Sequence, residues 1–171
     1  MTMGGLIATD ADVLDLAATV NDPEIPVLSI RDLGILRDGR LEADGTVRLT
    51  ITPTYSGCPA MDAIRDDLRK VFREAGHEKV EVDLVLSPAW TTDWMTDEGK
   101  AKLAEYGIAP PAGAAGRNAG PVGPIKLGLA VKCPRCHSLN TREMSRFGST
   151  SCKALYVCQA CHEPFDYFKV I

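Results

Sequence analysis

Residues Val47–Leu86 read VRLTITPTYSGCPAMDAIRDDLRKVFREAGHEKVEVDLVL, and the fold turns on how this stretch is read. Its apolar period changes twice. Val47, Leu49 and Ile51 share one face of an alternating run, with Arg48, Thr50 and Thr52 on the other, the pattern of a half-buried strand. From Pro59 the spacing becomes helical, with Met61, Ile64, Leu68, Val71, Phe72 and Ala75 on one side. Pro59 suits a first helical position and Gly76 a stop. Alternation returns at Val80, Val82, Leu84 and Leu86. A strand, a helix and a second strand in this order predict a parallel pair joined by a crossover.

Upstream, LGILRDGRLEADGTVRLTITP reads as a hairpin with Asp44-Gly45 at its turn. Before it, TDADVLDLAATV carries Thr9 as N-cap with Asp12 three residues on, and Val13, Leu16, Ala17 and Val20 make an apolar stripe. Pro23 and Pro26 end that helix. Downstream, Thr96 caps a short helix, DEGKAKLAEY, closed by Gly107. The order α-β-β-α-β-α predicts a small α/β sandwich, with helices packed on a mixed three-stranded sheet. Residues 1–108 are assigned to this domain. Residues 109–128 follow as a linker, with four prolines and four glycines between Pro110 and Pro124 and almost nothing to build a core from. No internal repeat is present.

Residues 129–171 hold two C-x-x-C pairs, Cys133/Cys136 and Cys158/Cys161, with 21 residues between them. A two-residue gap lets two thiolates of one tight turn point at one ion, and two such turns complete a tetrahedral site. The pattern predicts a zinc ribbon with structural Zn held by Cys133, Cys136, Cys158 and Cys161. About 40 residues have too small a core to fold alone, so the metal contributes folding free energy directly. A closed four-thiolate site has no open position for a substrate. His137 and His162 each follow a ligand cysteine and are expected outside the coordination shell; Cys152 is expected to be a small buried thiol.

The charge is unevenly spread: 13 Lys/Arg against 20 Asp/Glu in residues 1–128, and 6 against 3 in residues 129–171. The small positive balance of the tail, without interleaved aromatics, does not make a nucleic-acid platform. No apolar run approaches the ~20 residues of a membrane span, and the start lacks a signal-peptide pattern, so the cytoplasm is the expected location. There is no G-x-S-x-G elbow, Gly-rich phosphate loop or H-E-x-x-H site. His77 reads as an exposed helix-end residue, not a general base.

Cys58 stands where the strand passes into the helix. Unpaired N–H groups and the positive end of the helix dipole favour a thiolate there. A small cap without chemistry is the other reading, and physics alone leaves both open.

DPEIPVLSIRDLGI (22–35), TPTYSGCPAMDAI (52–64) and PAWTTDWMTDEGKAKLAEYGIAPP (88–111) resemble the SufT-like iron–sulfur targeting family. The tail FGSTSCKALYVCQACHEPFDYFK (147–169) narrows the resemblance to its PaaD (PaaJ) branch, linked to phenylacetate degradation. The resemblance implies an accessory protein, not an enzyme, that assists assembly of an iron–sulfur or di-iron centre. The implied client is the multicomponent phenylacetyl-CoA monooxygenase (ring-1,2-epoxidase), which pairs a di-iron oxygenase with a flavin and iron–sulfur reductase. Those components and the iron–sulfur assembly machinery are the implied partners. Asp22, Glu24 and Cys58 match the family's presumed functional surface, with the acidic turn beside the thiol. A stable cluster usually takes four protein thiolates, so one Cys58 implies transient iron or cluster contact, completed by a homodimer, an exogenous thiol or the target's cysteines. A structural or electron-transfer subunit of the oxygenase is the alternative, and a nucleic-acid-binding ribbon comes last. Trp90 and Trp94 are assigned to core packing, with an interaction surface as the other reading.

Overall fold

A computed structural model describes residues 7–112 and 130–171. The chain divides into two compact units, Met1–Trp90 and Thr91–Ile171.

In the first unit, α1 (Asp10–Ala17) starts on a capping box: Thr9 accepts from the Asp12 N–H, and the Asp12 carboxylate accepts from the Thr9 N–H. Strands β1 (Leu36–Leu41) and β2 (Val47–Ile51) form the antiparallel hairpin, turning at Gly45 with φ +83°. Helix α2 (Ala60–Glu74) crosses over to β3 (Val80–Leu84), which pairs parallel with β2 in a sheet of order β1-β2-β3. Val47, Leu49, Ile51 and Val82 are buried together with Ile64, Leu68 and Phe72 of α2. On the opposite side of β2, Arg48 reaches Glu81 at 2.7 Å and Asp83 at 3.2 Å.

Several side chains depart from the sequence pattern, among them Ala75, expected on the apolar side of α2 but exposed. Thr52, expected on the solvent face, is buried, because its N–H donates to the Ile35 carbonyl where the chain bends back into the core. Leu84 and Leu86, expected inside, are exposed; the strand itself ends at Leu84, and alternation beyond that point no longer specifies a covered face. No periodic element is predicted for residues 21–35, yet Ile25, Leu28, Ile30, Leu33 and Ile35 are all core residues. A second reciprocal cap fixes that segment: Ser29 N–H donates to Asp32 Oδ2 and Asp32 N–H to Ser29 Oγ, each at 3.0 Å. Trp90 is buried and donates Nε1–H to the Leu33 carbonyl at 2.8 Å, which settles it as a packed aromatic.

The second unit opens with a 3₁₀ turn (Thr92–Trp94), where Trp94 is half-buried, followed by α3 (Asp97–Tyr106), capped by Thr96 and closed by Gly107 at φ +96°. The short strand β4 (Ile108–Ala109) then pairs parallel with β7, giving a four-stranded sheet of order β4-β7-β6-β5. Its other members are β5 (Thr141–Ser145), β6 (Lys153–Cys158) and β7 (Pro164–Phe168). This corrects the boundary drawn at residue 108. The left-handed turn at Gly107 sends α3 straight into a strand of the ribbon sheet, so 91–112 fold with the ribbon. Ala109, expected in the linker, is buried in that sheet. Most of the expected linker lies outside the described residues.

Candidate functional site

The four C-x-x-C sulfurs converge. Both knuckles are built alike. Cys133 N–H donates to the Ser138 carbonyl and His137 N–H to the Cys133 carbonyl; Cys158 N–H donates to Glu163 and His162 N–H to Cys158. Each turn closes on a histidine at φ +62°. This left-handed geometry is uncommon outside glycine, although histidine adopts it more readily than most residues. Both imidazoles are exposed, and the converging donor set consists of the four cysteines without them.

All four Sγ atoms lie within 4.8 Å of one another, with Cys133–Cys161 at 3.9 Å and Cys136–Cys158 at 3.5 Å. A tetrahedral ion with ~2.3 Å metal–sulfur bonds sets its ligands ~3.8 Å apart, so the donors fit zinc. All six cysteines are free. The protons of the cluster are unequally held. Cys158 is pulled down to about 6, chiefly by the Cys161 backbone N–H. Against a backbone hydrogen bond from Glu163, Cys161 is pushed up to about 12 by burial and the neighbouring sulfurs. Four sulfurs this close ionise together only around a cation. Cys133 and Cys158 face inward on a cluster of Ala109, Val131 and Phe165, with Tyr156 and Tyr167 packed against it. Metal and core therefore share residues. The site is structural in kind.

A second constellation lies in the first unit. Tyr55–Cys58 is a turn closed by Cys58 N–H to the Tyr55 carbonyl at 3.2 Å, with Gly57 at φ +82° supplying the conformation a side chain rarely adopts. Pro59 follows at the N-cap of α2 and offers no side-chain cap; Met61 N–H donates to the Cys58 carbonyl at 3.3 Å, and Ala60 N–H faces the Cys58 sulfur. Cys58 is 8% exposed. The acidic turn is held tightly: Asp22 is buried, and its Oδ1 accepts from Glu24 N–H at 2.7 Å and Ile25 N–H at 2.9 Å. Both carboxylates lie close enough to act on the sulfur. Burial pushes the Cys58 thiol up, and Glu24 and Asp22 push it further; hydrogen bonds from Ala60 N–H and the Tyr55 side chain oppose them. The expectation of a favoured, partly open thiolate is thus corrected: the helix end is outweighed, and Cys58 rests as a buried thiol. Glu24 and Asp22 stand within electrostatic reach of the Cys58 sulfur.

Tyr55 was not singled out from the sequence, because its position in the turn matters only once the turn closes. Cys152 is buried, 3.0 Å from Thr150 Oγ1, and belongs to the other unit from Cys58. His77 stacks edge-on to Phe72 at the end of α2, a packing role.

A parallel-crossover α/β unit with a cysteine at the helix start, followed by a ribbon whose four cysteines fit zinc, defines a two-module class. Residues 10–84 match the family described as iron–sulfur cluster assembly protein, and residues 120–169 match the PaaD zinc β-ribbon domain. A relative from Escherichia coli, named as a candidate component of 1,2-phenylacetyl-CoA epoxidase, is 48% identical over 94% of this chain and 92% of its own length. An Fe-S protein maturation auxiliary factor from Porphyromonas gingivalis is 40% identical over 57% of this chain and 92% of its own. A solved domain of unknown function from Bacillus anthracis, 28% identical, covers 55% of this chain and 90% of its own at a TM-score of 0.51. The chain belongs to the iron–sulfur cluster assembly family, in the branch that carries the PaaD zinc β-ribbon.

Proposed function

We propose that this protein is an accessory factor that assists assembly of the iron–sulfur or di-iron centre of a phenylacetyl-CoA epoxidase, acting from the Cys58 turn. The observation that carries the reading is the placement of a thiol and two carboxylates at one helix start, within a unit whose relatives are named maturation factors. Sulfur and carboxylate oxygen together suit ferrous iron, and the negative field that keeps the proton on Cys58 is the field that attracts a cation. A cation arriving there takes the place of the thiol proton. One sulfur and two oxygens are too few to retain a cluster, which suits cargo passed on rather than a resident centre. The ribbon zinc takes no part in this transfer and serves as scaffold.

No helix among the described residues is long and apolar enough to cross a membrane, which fits the proposed cytoplasmic client. The partners are the oxygenase and reductase components of the epoxidase and the machinery that supplies iron or clusters. The test is to produce those components in cells with and without this protein and assay epoxidation. Components made without it are expected at normal abundance but with activity reduced several-fold, restored by supplying the protein. The name of the Escherichia coli relative favours one second reading, a stoichiometric part of the epoxidase. That reading requires the protein to co-purify one-to-one with active epoxidase and to be needed during turnover itself.

A further inference from the structure

The two modules are not equally shared among the relatives. The maturation factors from Porphyromonas gingivalis and Bacillus subtilis are matched over 92% and 94% of their own length by 98 and 97 residues, which leaves no room for a second module like residues 120–169. The Escherichia coli epoxidase relative is matched over 160 residues. The ribbon is therefore what separates a factor tied to one oxygenase from general maturation factors.

One edge of the ribbon is built to be touched. Among the described residues strand β5 pairs only with β6, and its residues from Arg142 to Ser145 are exposed. Leu139, Met144 and Phe147 are 60%, 53% and 68% exposed, which places three of the large exposed apolar side chains within nine residues. Phe147 is held outward. Its N–H donates to Ser145 Oγ, Ser145 Oγ donates back to the Phe147 carbonyl at 2.9 Å, and Lys169 Nζ lies 4.8 Å from the ring centroid. Lys169 is fixed in turn by donating to the Arg146 carbonyl at 3.1 Å. A bulge between Glu143 and Ser145 interrupts the ladder, so this edge offers side chains more readily than a strand template. An aromatic on a backbone already fixed by hydrogen bonds loses less entropy on binding than one on a free loop and makes a good anchor. Arg142 and Arg146 stand along the same stretch and Lys169 over the ring; of the acids nearby, Glu143 already accepts from Tyr156 Oη and Asp166, beside Gly148, pairs with Lys153 at 3.9 Å.

We propose that this edge, Leu139 to Phe147 with Lys169, docks an acidic, apolar-lined surface of the client enzyme, with Phe147 as the anchor. The inference rests on the proposed function, since it names the surface by which the client is chosen. Purified oxygenase and reductase components are titrated separately against the intact, zinc-loaded protein at stepped salt concentrations. One component is expected to bind, more weakly as salt rises. Phe147→Ala should weaken it by roughly tenfold or more, as loss of an anchor does. Arg142→Glu with Arg146→Glu should weaken it further and remove most of the salt dependence. Cys58→Ala should bind as the wild type does, so docking and delivery fail separately. Zinc content and circular dichroism show that the variants remain folded. Binding unchanged in Phe147→Ala overturns the inference. So does the absence of binding to every component, binding only to a DNA or RNA oligonucleotide, or a self-association that Phe147→Ala abolishes.

Discussion

At Cys58 the helix end and the protein interior act in opposite directions on one sulfur. The Ala60 N–H favours ionisation, while burial and the carboxylates of Glu24 and Asp22 resist it more strongly. Glu24→Gln removes a negative neighbour, so the thiol should ionise at lower pH and alkylate several-fold faster at neutral pH. The check is the pH profile of iodoacetamide labelling, read at Cys58 by peptide mass spectrometry. An unchanged profile would mean that Glu24 does not face the sulfur. The helix start was legible in the sequence as G-C-P before an apolar stripe. The thiol's protonation was not, because burial, its first cause, and the acids that add to it, from a turn 34 residues before Cys58, arise only on folding. His137 and His162 were legible as non-ligands from counting sulfurs, whereas their left-handed backbone was hidden, since histidine is not the residue that usually announces such a turn.

Among elements, the caps carried the most information. Thr9 with Asp12, Thr96 and Gly107 all fall where local chemistry places them, because a cap depends on neighbours three or four residues away. The segment 21–35 was opaque for the opposite reason. Its five core residues follow no period, and Trp90, which donates to the Leu33 carbonyl, comes from 57 residues further on. Gly39 on β1 shows the same dependence. A Cβ there would meet Val13 Cγ1 at 3.0 Å, Leu14 Cδ2 at 3.1 Å and Leu49 Cδ2 at 3.2 Å, so α1 packs where a side chain would stand. Gly39→Ala should therefore cost about 1 kcal/mol by overpacking, even though alanine suits a strand better than glycine. Urea unfolding measures it, and a stabilised variant would show that α1 has room to move. Thr96→Ala should cost about 1 kcal/mol through loss of the α3 cap, read the same way.

For the whole molecule, two modules, their order and the convergence of four cysteines were legible in the sequence, because C-x-x-C spacing and a 2–3.6–2 change of period are both local signals. The division between them was misplaced. Strand β4 is only two residues long, and its partner lies more than fifty residues away in β7, a pairing that leaves no periodic trace. The ribbon core is shared with its cysteines, so metal and fold should be lost together. Chelation at neutral pH is expected to abolish the near-ultraviolet dichroism of Tyr156 and Tyr167, whose ring centroids are 5.4 Å apart. The helical signal of α1 and α2 should persist. A ribbon that kept its aromatic signal without metal would contradict a metal-dependent fold. The account as a whole stands on delivery through Cys58, which is tested by iron and labile sulfide per polypeptide in epoxidase components made beside wild-type or Cys58→Ser protein. The account predicts one component depleted several-fold in metal at equal abundance with Cys58→Ser, while the variant still docks; equal iron and sulfide in every component would contradict it.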